Sequence, residues 1–331
     1  MLNQKLNLSE KIFKKDMESI STRQGYGEGL VIAGEKDEKV VVLCADLTES
    51  TKSILFKEKF PDRFIEVGVA EQGMATIAAG MAVYGKIPFI SSYAAFSPGR
   101  NWEQIRTTIA LNDVPVKIAG SHAGVSVGPD GATHQMLEDI ALMRSMPNMT
   151  VIAPADSIEA KKATIEAAKN NKPTYIRLTK EKTPTFTTEK TPFKIGRAET
   201  IWESKDPQVA IIACGPLVYE ALLAAKELSK SKIEVLVINS HTIKPLDTQA
   251  IIKAAKIAGA VVTVEEHQIA GGLGGAVSEV LSKNFPTPQE FVGMQDHFGE
   301  SGTSDELLTK YEMKAQNIVE ASKRVIKRKN S

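Results

Sequence analysis

Long apolar runs are scarce in this sequence. The longest are short and interrupted, so none could span a bilayer, and the polar opening MLNQKLNLSEKIFKKD lacks the apolar core of an export signal. Cysteine is nearly absent too. Cys44 in VVVLCADL and Cys214 in VAIIACG lie in apolar, strand-like settings without CxxC spacing, which argues against a disulfide framework or a zinc site and for buried structural thiols. Charge of one sign is also missing: 41 Lys and Arg against 40 Asp and Glu leave +1 over 331 residues, so no global field recruits nucleic acid or an anionic membrane. What remains is the expectation of a cytoplasmic protein, long enough for two domains with their own cores, with no nucleic-acid and no membrane partner.

From about residue 22 to 178, strand-like runs alternate with helical patterns. KVVVLCADL, RFIEVG, IPFISS, VPVKIAGSH, MTVIAPAD and PTYIRL read as strands of a parallel sheet covered by helices. TKEKTPTFTTEKTPFKIG, residues 179–196, is rich in Thr, Lys and Pro and reads as an exposed linker. A second, smaller alternation follows and closes in helices with a basic, solvated tail. The expected fold class is α/β, with two consecutive α/β domains over 1–190 and 191–331, each a largely parallel sheet flanked by helices.

Three groups of residues carry chemistry. GVAEQGM, residues 68–74, puts Glu71 at the head of an otherwise small and apolar run that reads as a buried helix beginning beneath the carboxyl edge of a strand. Glu71 is either a cap for the helix N–H groups or a carboxyl kept for proton chemistry. SSYAAFSPGRNW, residues 91–102, supplies Tyr93, Phe96 and Trp102; Tyr93 and Trp102 fit core packing as well as a site, and Phe96 is the better stacking platform. In residues 121–156, a glycine-rich loop carries His122, Asp130 and His134. Their spacing matches no common zinc pattern, so no metal ligands are assigned. Such histidines suit hydrogen bonding to hydroxyls and carbonyls and proton transfer near neutral pH, whereas the bland alternative is an Asp130 turn with one satisfied His. Arg23, Ser50 and Lys180, each weak alone, could join His122 in holding a phosphate.

These motifs resemble transketolase, specifically the C-terminal half as found where the enzyme is split into two subunits. The resemblance covers nearly the whole chain and rests on ADLTES, GVAEQGM, SYAAF, GPDGATHQ, LEDIALMRSMPNMTVIAPAD, INSHTIKPLD, VEEHQIAGGLG and FGESGT. It implies a pyrimidine-binding domain, a C-terminal domain, and transfer of a two-carbon ketol unit from a ketose phosphate to an aldose phosphate through thiamine diphosphate. Glu71 would hydrogen-bond the cofactor's aminopyrimidine and assist proton removal from its thiazolium, a task that burial favours. Phe96 would stack on that ring, with Tyr93 and Asp46 nearby. His122 and His134 would bind sugar oxygens and assist proton transfer, Asp130 would read a sugar hydroxyl, and Arg23, Ser50, His122 and Lys180 would hold the sugar phosphate. Lys180 stands where the family commonly has Arg, which removes the possibility of a bidentate contact. The spacing around SPGRNWEQIR differs by one residue from full-length enzymes, so Trp102 receives no role.

The chain contains no GDG motif, through which the family holds the cofactor diphosphate and Mg2+. The resemblance therefore implies an N-terminal partner subunit carrying GDG and an Asn, in a heterotetramer with two copies of each. The β subunit of a 2-oxoacid dehydrogenase is a rival without the GPDGATHQ loop. Deoxyxylulose-phosphate synthase has a comparable loop but normally one long chain. A non-catalytic homologue is disfavoured by intact Glu71, Phe96, Asp130 and His134.

Overall fold

Val40–Cys44 and Lys117–Ser121, buried at every residue, lie in a seven-stranded sheet in the computed structural model of the chain, which describes residues 1–329. Burial on both faces is what a parallel sheet covered by helices requires. The strand order is Thr242–Lys244, Thr150–Ile152, Thr174–Arg177, Lys117–Ser121, Ile87–Tyr93, Val40–Cys44 and Phe64–Glu66. Every neighbouring pair is parallel except the first. The order reverses between Val40–Cys44 and Ile87–Tyr93, and the carboxyl ends of strands at such a switch point form a crevice. Asp46 and Tyr93 lie there.

The second sheet runs Gln289–Met294, Val261–Gln268, Val209–Ala213, Val235–Asn239 and Glu199–Trp202, parallel except for the last strand. The two halves share structure: Thr242–Lys244, from the C-terminal half, pairs antiparallel with Thr150–Ile152 in the first sheet. Helix Thr22–Lys36 packs tightly on helix Ser157–Lys169, and a Cβ at Gly25 would stand 1.8 Å from the Ser157 carbonyl oxygen. That close approach fixes Arg23 at the helix start.

One expectation is corrected. Residues 179–196 are not an exposed linker. Lys182–Pro184 pairs with Ser19–Ser21, Phe186 is fully buried, and Asp156 accepts bonds from the Phe186 and Thr187 N–H groups and the Thr187 hydroxyl at 2.7–3.0 Å. The Thr-rich composition serves these buried polar contacts rather than solvation. The basic tail is solvent-exposed as expected, yet it is also bonded to the second sheet. Arg328 donates to Glu290 Oε1 at 2.6 Å and Lys329 to the Ala258 carbonyl at 2.8 Å, docking helix Ala315–Lys329 on the second sheet; the tail's last two residues, 330 and 331, lie outside the described residues. Cys44 and Cys214 are both free and buried. Among the described residues, no helix is long and apolar enough to cross a membrane.

Candidate active site

Glu71 opens helix Glu71–Val83 and is 1% exposed, but it does not cap that helix. Ala70 occupies the N-cap without a side-chain bond, and the Glu71 carboxylate binds only side chains. Ser92 Oγ donates to Oε1 at 3.3 Å and Arg100 Nη1 to Oε2 at 2.6 Å, while Asn101 Nδ2 fixes the Glu71 carbonyl at 2.9 Å. The capping reading fails here. A carboxylate held by exchangeable side chains can accept a new donor without unwinding the helix.

Beside it the strand Ile87–Tyr93 ends in an aromatic shelf. Tyr93 and Phe96 stack with ring centres 5.9 Å apart, Tyr93 lies 3.7 Å from the His122 ring, and His134 meets Phe96 edge-on at 5.4 Å. His122 is 1% exposed, and its Nδ1 pairs with the Ser121 hydroxyl at 2.9 Å. Burial, and then the charges of Arg23, Lys180 and His134, push its pKa down to about 3, so it is a neutral imidazole at physiological pH. An anion bound between Arg23 and Lys180 would cancel two of those causes and raise it.

The cationic rim is partly satisfied. Arg23 donates to the Ser50 carbonyl at 2.7 Å, so the Ser50 backbone, rather than its hydroxyl, touches Arg23. Arg23 Nε is buried and has no partner. Lys180 Nζ bonds Asp130 Oδ2 at 3.2 Å and the Val127 carbonyl at 3.3 Å, joining two residues separately expected to face substrate. Asp46 is exposed, and its N–H donates to Glu66 Oε1 at 2.7 Å. Glu66 also accepts from Thr48 Oγ1 at 2.8 Å and Gly68 N–H at 3.1 Å, tying the Asp46 loop to the turn before Glu71. Sequence reasoning missed Glu66 and Arg100. Arg100 lay within SPGRNW, where irregular spacing drew attention to Trp102 instead. Trp102 is packed against the core, and its Nε1 donates to the Leu142 carbonyl at 3.3 Å.

The loop bearing Asp130 and His134 is clamped by the second half of the chain. Gln135 Nε2 donates to the Glu300 carbonyl at 2.9 Å, and Glu266 Oε1 accepts the Ser126 N–H at 2.6 Å. Arg177 joins Asp139 (2.8 Å) to the Glu266 carbonyl (2.7 Å). At Gly124, φ is +90° and a Cβ would stand 2.2 Å from Glu266 Oε1, so only glycine fits. VEEH and FGESGT thus serve the first domain's loop from the second. Among the described residues, no group of three or more His, Cys, Asp or Glu is placed to hold a metal ion.

Fold and site together define an α/β enzyme in which a buried carboxylate, an aromatic shelf, histidines and a cationic rim meet at a sheet switch point. Residues 18–185 match the family "Transketolase, pyrimidine binding domain" and residues 196–318 match "Transketolase, C-terminal domain". The chain is 44% identical over 299 residues to the "Putative transketolase C-terminal section" of Methanocaldococcus jannaschii, covering 89% of this chain and 93% of that protein. It is 39% identical to the "6-deoxy-6-sulfo-D-fructose transketolase subunit SqwH" of a Clostridium species, covering 96% and 98%. The solved structure "Split gene transketolase, inactive beta4 tetramer" superposes with a TM-score of 0.87 at 42% identity, covering 93% and 99%. The chain belongs to the transketolase family, as the part carrying its pyrimidine-binding and C-terminal domains, and not to the dehydrogenase or synthase rivals.

Proposed function

We propose that this chain, joined to an N-terminal subunit, transfers a two-carbon ketol unit between sugar phosphates of the pentose phosphate pathway in the cytoplasm. The observation that carries the reading is Glu71: a buried carboxylate at a helix start, bonded only by side chains, beside the Phe96 face. Such a pair fits the aminopyrimidine of thiamine diphosphate, which needs a carboxylate partner and an aromatic surface. When bound, that cofactor supplies the nucleophilic carbon that carries the two-carbon unit. Glu71 would accept a hydrogen bond from the ring and hold a proton with it, Phe96 and Tyr93 would offer it an aromatic face, and Asp46 would stand on the loop beside it. Neutral His122 accepts or donates one hydrogen bond to a sugar oxygen, and its affinity for a proton rises once the phosphate is in place. His134 hands protons to and from the sugar, and Asp130 reads a hydroxyl. The unpartnered Arg23 Nε, with Lys180 and the Ser50 segment, receives the phosphate.

The diphosphate and Mg2+ ligands are assigned to the partner's GDG and Asn, in an assembly of two of each subunit. Similarity to the Clostridium subunit supports a sulfonated ketose as the alternative cargo of the same cationic rim. Reconstitution tests the reading. Ketol transfer is expected only when this chain, the N-terminal subunit, thiamine diphosphate and Mg2+ are combined, and robust transfer by this chain alone would reject it.

A further inference from the structure

Arg100 does something that none of the roles above requires. It sits in the loop after Tyr93, its backbone N–H bonded to the Phe96 carbonyl at 3.1 Å, and its side chain is 45% exposed. Yet its guanidinium reaches the deepest carboxylate of the site. Nη1 lies 2.6 Å from Glu71 Oε2, and Cζ stands over the Phe96 ring, 4.7 Å from its centre. A guanidinium is flat and delocalised, donates in its plane to carboxylates and lies favourably over aromatic faces. An aminopyrimidine has the same needs: an N–H for a carboxylate and a face for an aromatic ring.

We propose that Arg100 is the resting occupant of the aminopyrimidine seat, and that thiamine diphosphate binds by displacing its guanidinium from Glu71 and Phe96. The proposal rests on the functional reading above. The two groups Arg100 touches are the two that the ring requires, so both cannot be served at once. Displacement is physically cheap, because the side chain enters from the solvent side and its departure opens no cavity in the core. Only the Arg100 end of the pair is exposed, so the guanidinium leaves the buried Glu71 carboxylate when the incoming ring supplies a donor in its place. Glu71 retains Ser92 throughout, so it stays oriented while its second partner changes.

The test uses two measurements. In the complex with the N-terminal subunit, titration of thiamine diphosphate should give a dissociation constant about threefold to tenfold lower for Arg100→Ala than for wild type. Arg100→Lys, which keeps the charge but loses the planar fork, should fall between them. In the free chain, the Arg100 Nη1–H that donates to Glu71 should exchange slowly with solvent by side-chain NMR and become fast in Glu71→Gln. Loading the wild-type complex with cofactor should release the same signal. A complex that binds cofactor normally, but shows no tighter binding in Arg100→Ala or an unchanged Arg100 signal on loading, overturns this proposal alone. A wild-type complex that takes up no thiamine diphosphate overturns the functional reading and this proposal with it.

Discussion

Among the buried carboxylates at helix starts in this molecule, Glu71 and Glu265, one from each half, are held in opposite ways. Glu265, within the strand Val261–Gln268, accepts the Leu273 and Gly274 N–H groups at 2.6 and 2.7 Å and so caps helix Leu273–Asn284. Gly272 makes room, since a Cβ there would fall 2.0 Å from Glu265 Oε2. The GGLGG segment thus closes on the protein's own carboxylate and leaves those amides with no anion to bind. Glu71 is equally buried but accepts only from Ser92 and Arg100. Backbone amides cannot leave without unwinding a helix, whereas side chains can turn away. The kind of partner therefore separates a structural carboxylate from one free to work.

The largest expected break in this comparison comes from exchanging carboxylate for amide at each site. In the assembled enzyme, Glu71→Gln should lower ketol transfer by about a hundredfold to ten-thousandfold, the usual cost of removing a positioned acid or base. Glu265→Gln keeps an acceptor oxygen for one of its two amides and turns an NH2 toward the other, which weakens the cap but touches no reacting group, so turnover of the folded enzyme should stay near wild type. Next comes the clamp between the halves. Gly124→Ala forces a methyl against Glu266 and should lower kcat/KM by about tenfold to hundredfold through misplacement of the His134 loop, with cofactor affinity retained in a parallel titration. Lys180→Ala should cost about tenfold to hundredfold in kcat/KM with a phosphorylated donor and far less with hydroxypyruvate, whereas Lys180→Arg should preserve or improve it. Equal losses with both donors would remove Lys180 from the anion site.

The smallest effect is one of stability. Burial pushes the Glu265 pKa up to about 7, against the opposing pull of the Gly274 and Leu273 amides and of Arg177 and Arg144. A carboxyl whose pKa rises on folding contributes stability that is full below its unfolded value and lost as pH climbs through its folded one. Wild type should therefore lose roughly 2 to 3 kcal/mol relative to Glu265→Gln between about pH 4.5 and pH 7, measured as the difference between their denaturant midpoints across that window.

The alternation of apolar strands and helical patterns made both α/β sheets legible, because burial on two faces leaves continuous apolar runs such as Val40–Cys44. GVAEQGM and GPDGATHQ were legible as candidates because rare polar residues interrupt small or glycine-rich stretches, and the fold brings Phe96, Tyr93, His122 and His134 into one cluster. Other features left no local signal. Thr242–Lys244 is a three-residue strand whose partner lies far away in sequence, so pairing rather than composition defines it. Residues 179–196 resembled a solvated linker because hydroxyls satisfied by Asp156 and exposed hydroxyls look alike in a sequence. Arg100 was hidden for a related reason. An arginine in a loop is ordinarily solvated, and only its distance to Glu71 distinguishes it.

The central claim is that Glu71 performs proton chemistry on the cofactor in the assembled enzyme. It is tested most directly by deuterium exchange at the C2 proton of the bound thiazolium, compared between wild type and Glu71→Gln complexes with equal cofactor occupancy. The account predicts exchange slowed by about a hundredfold or more in Glu71→Gln. Exchange at the wild-type rate would contradict it and leave Glu71 a structural partner of Arg100.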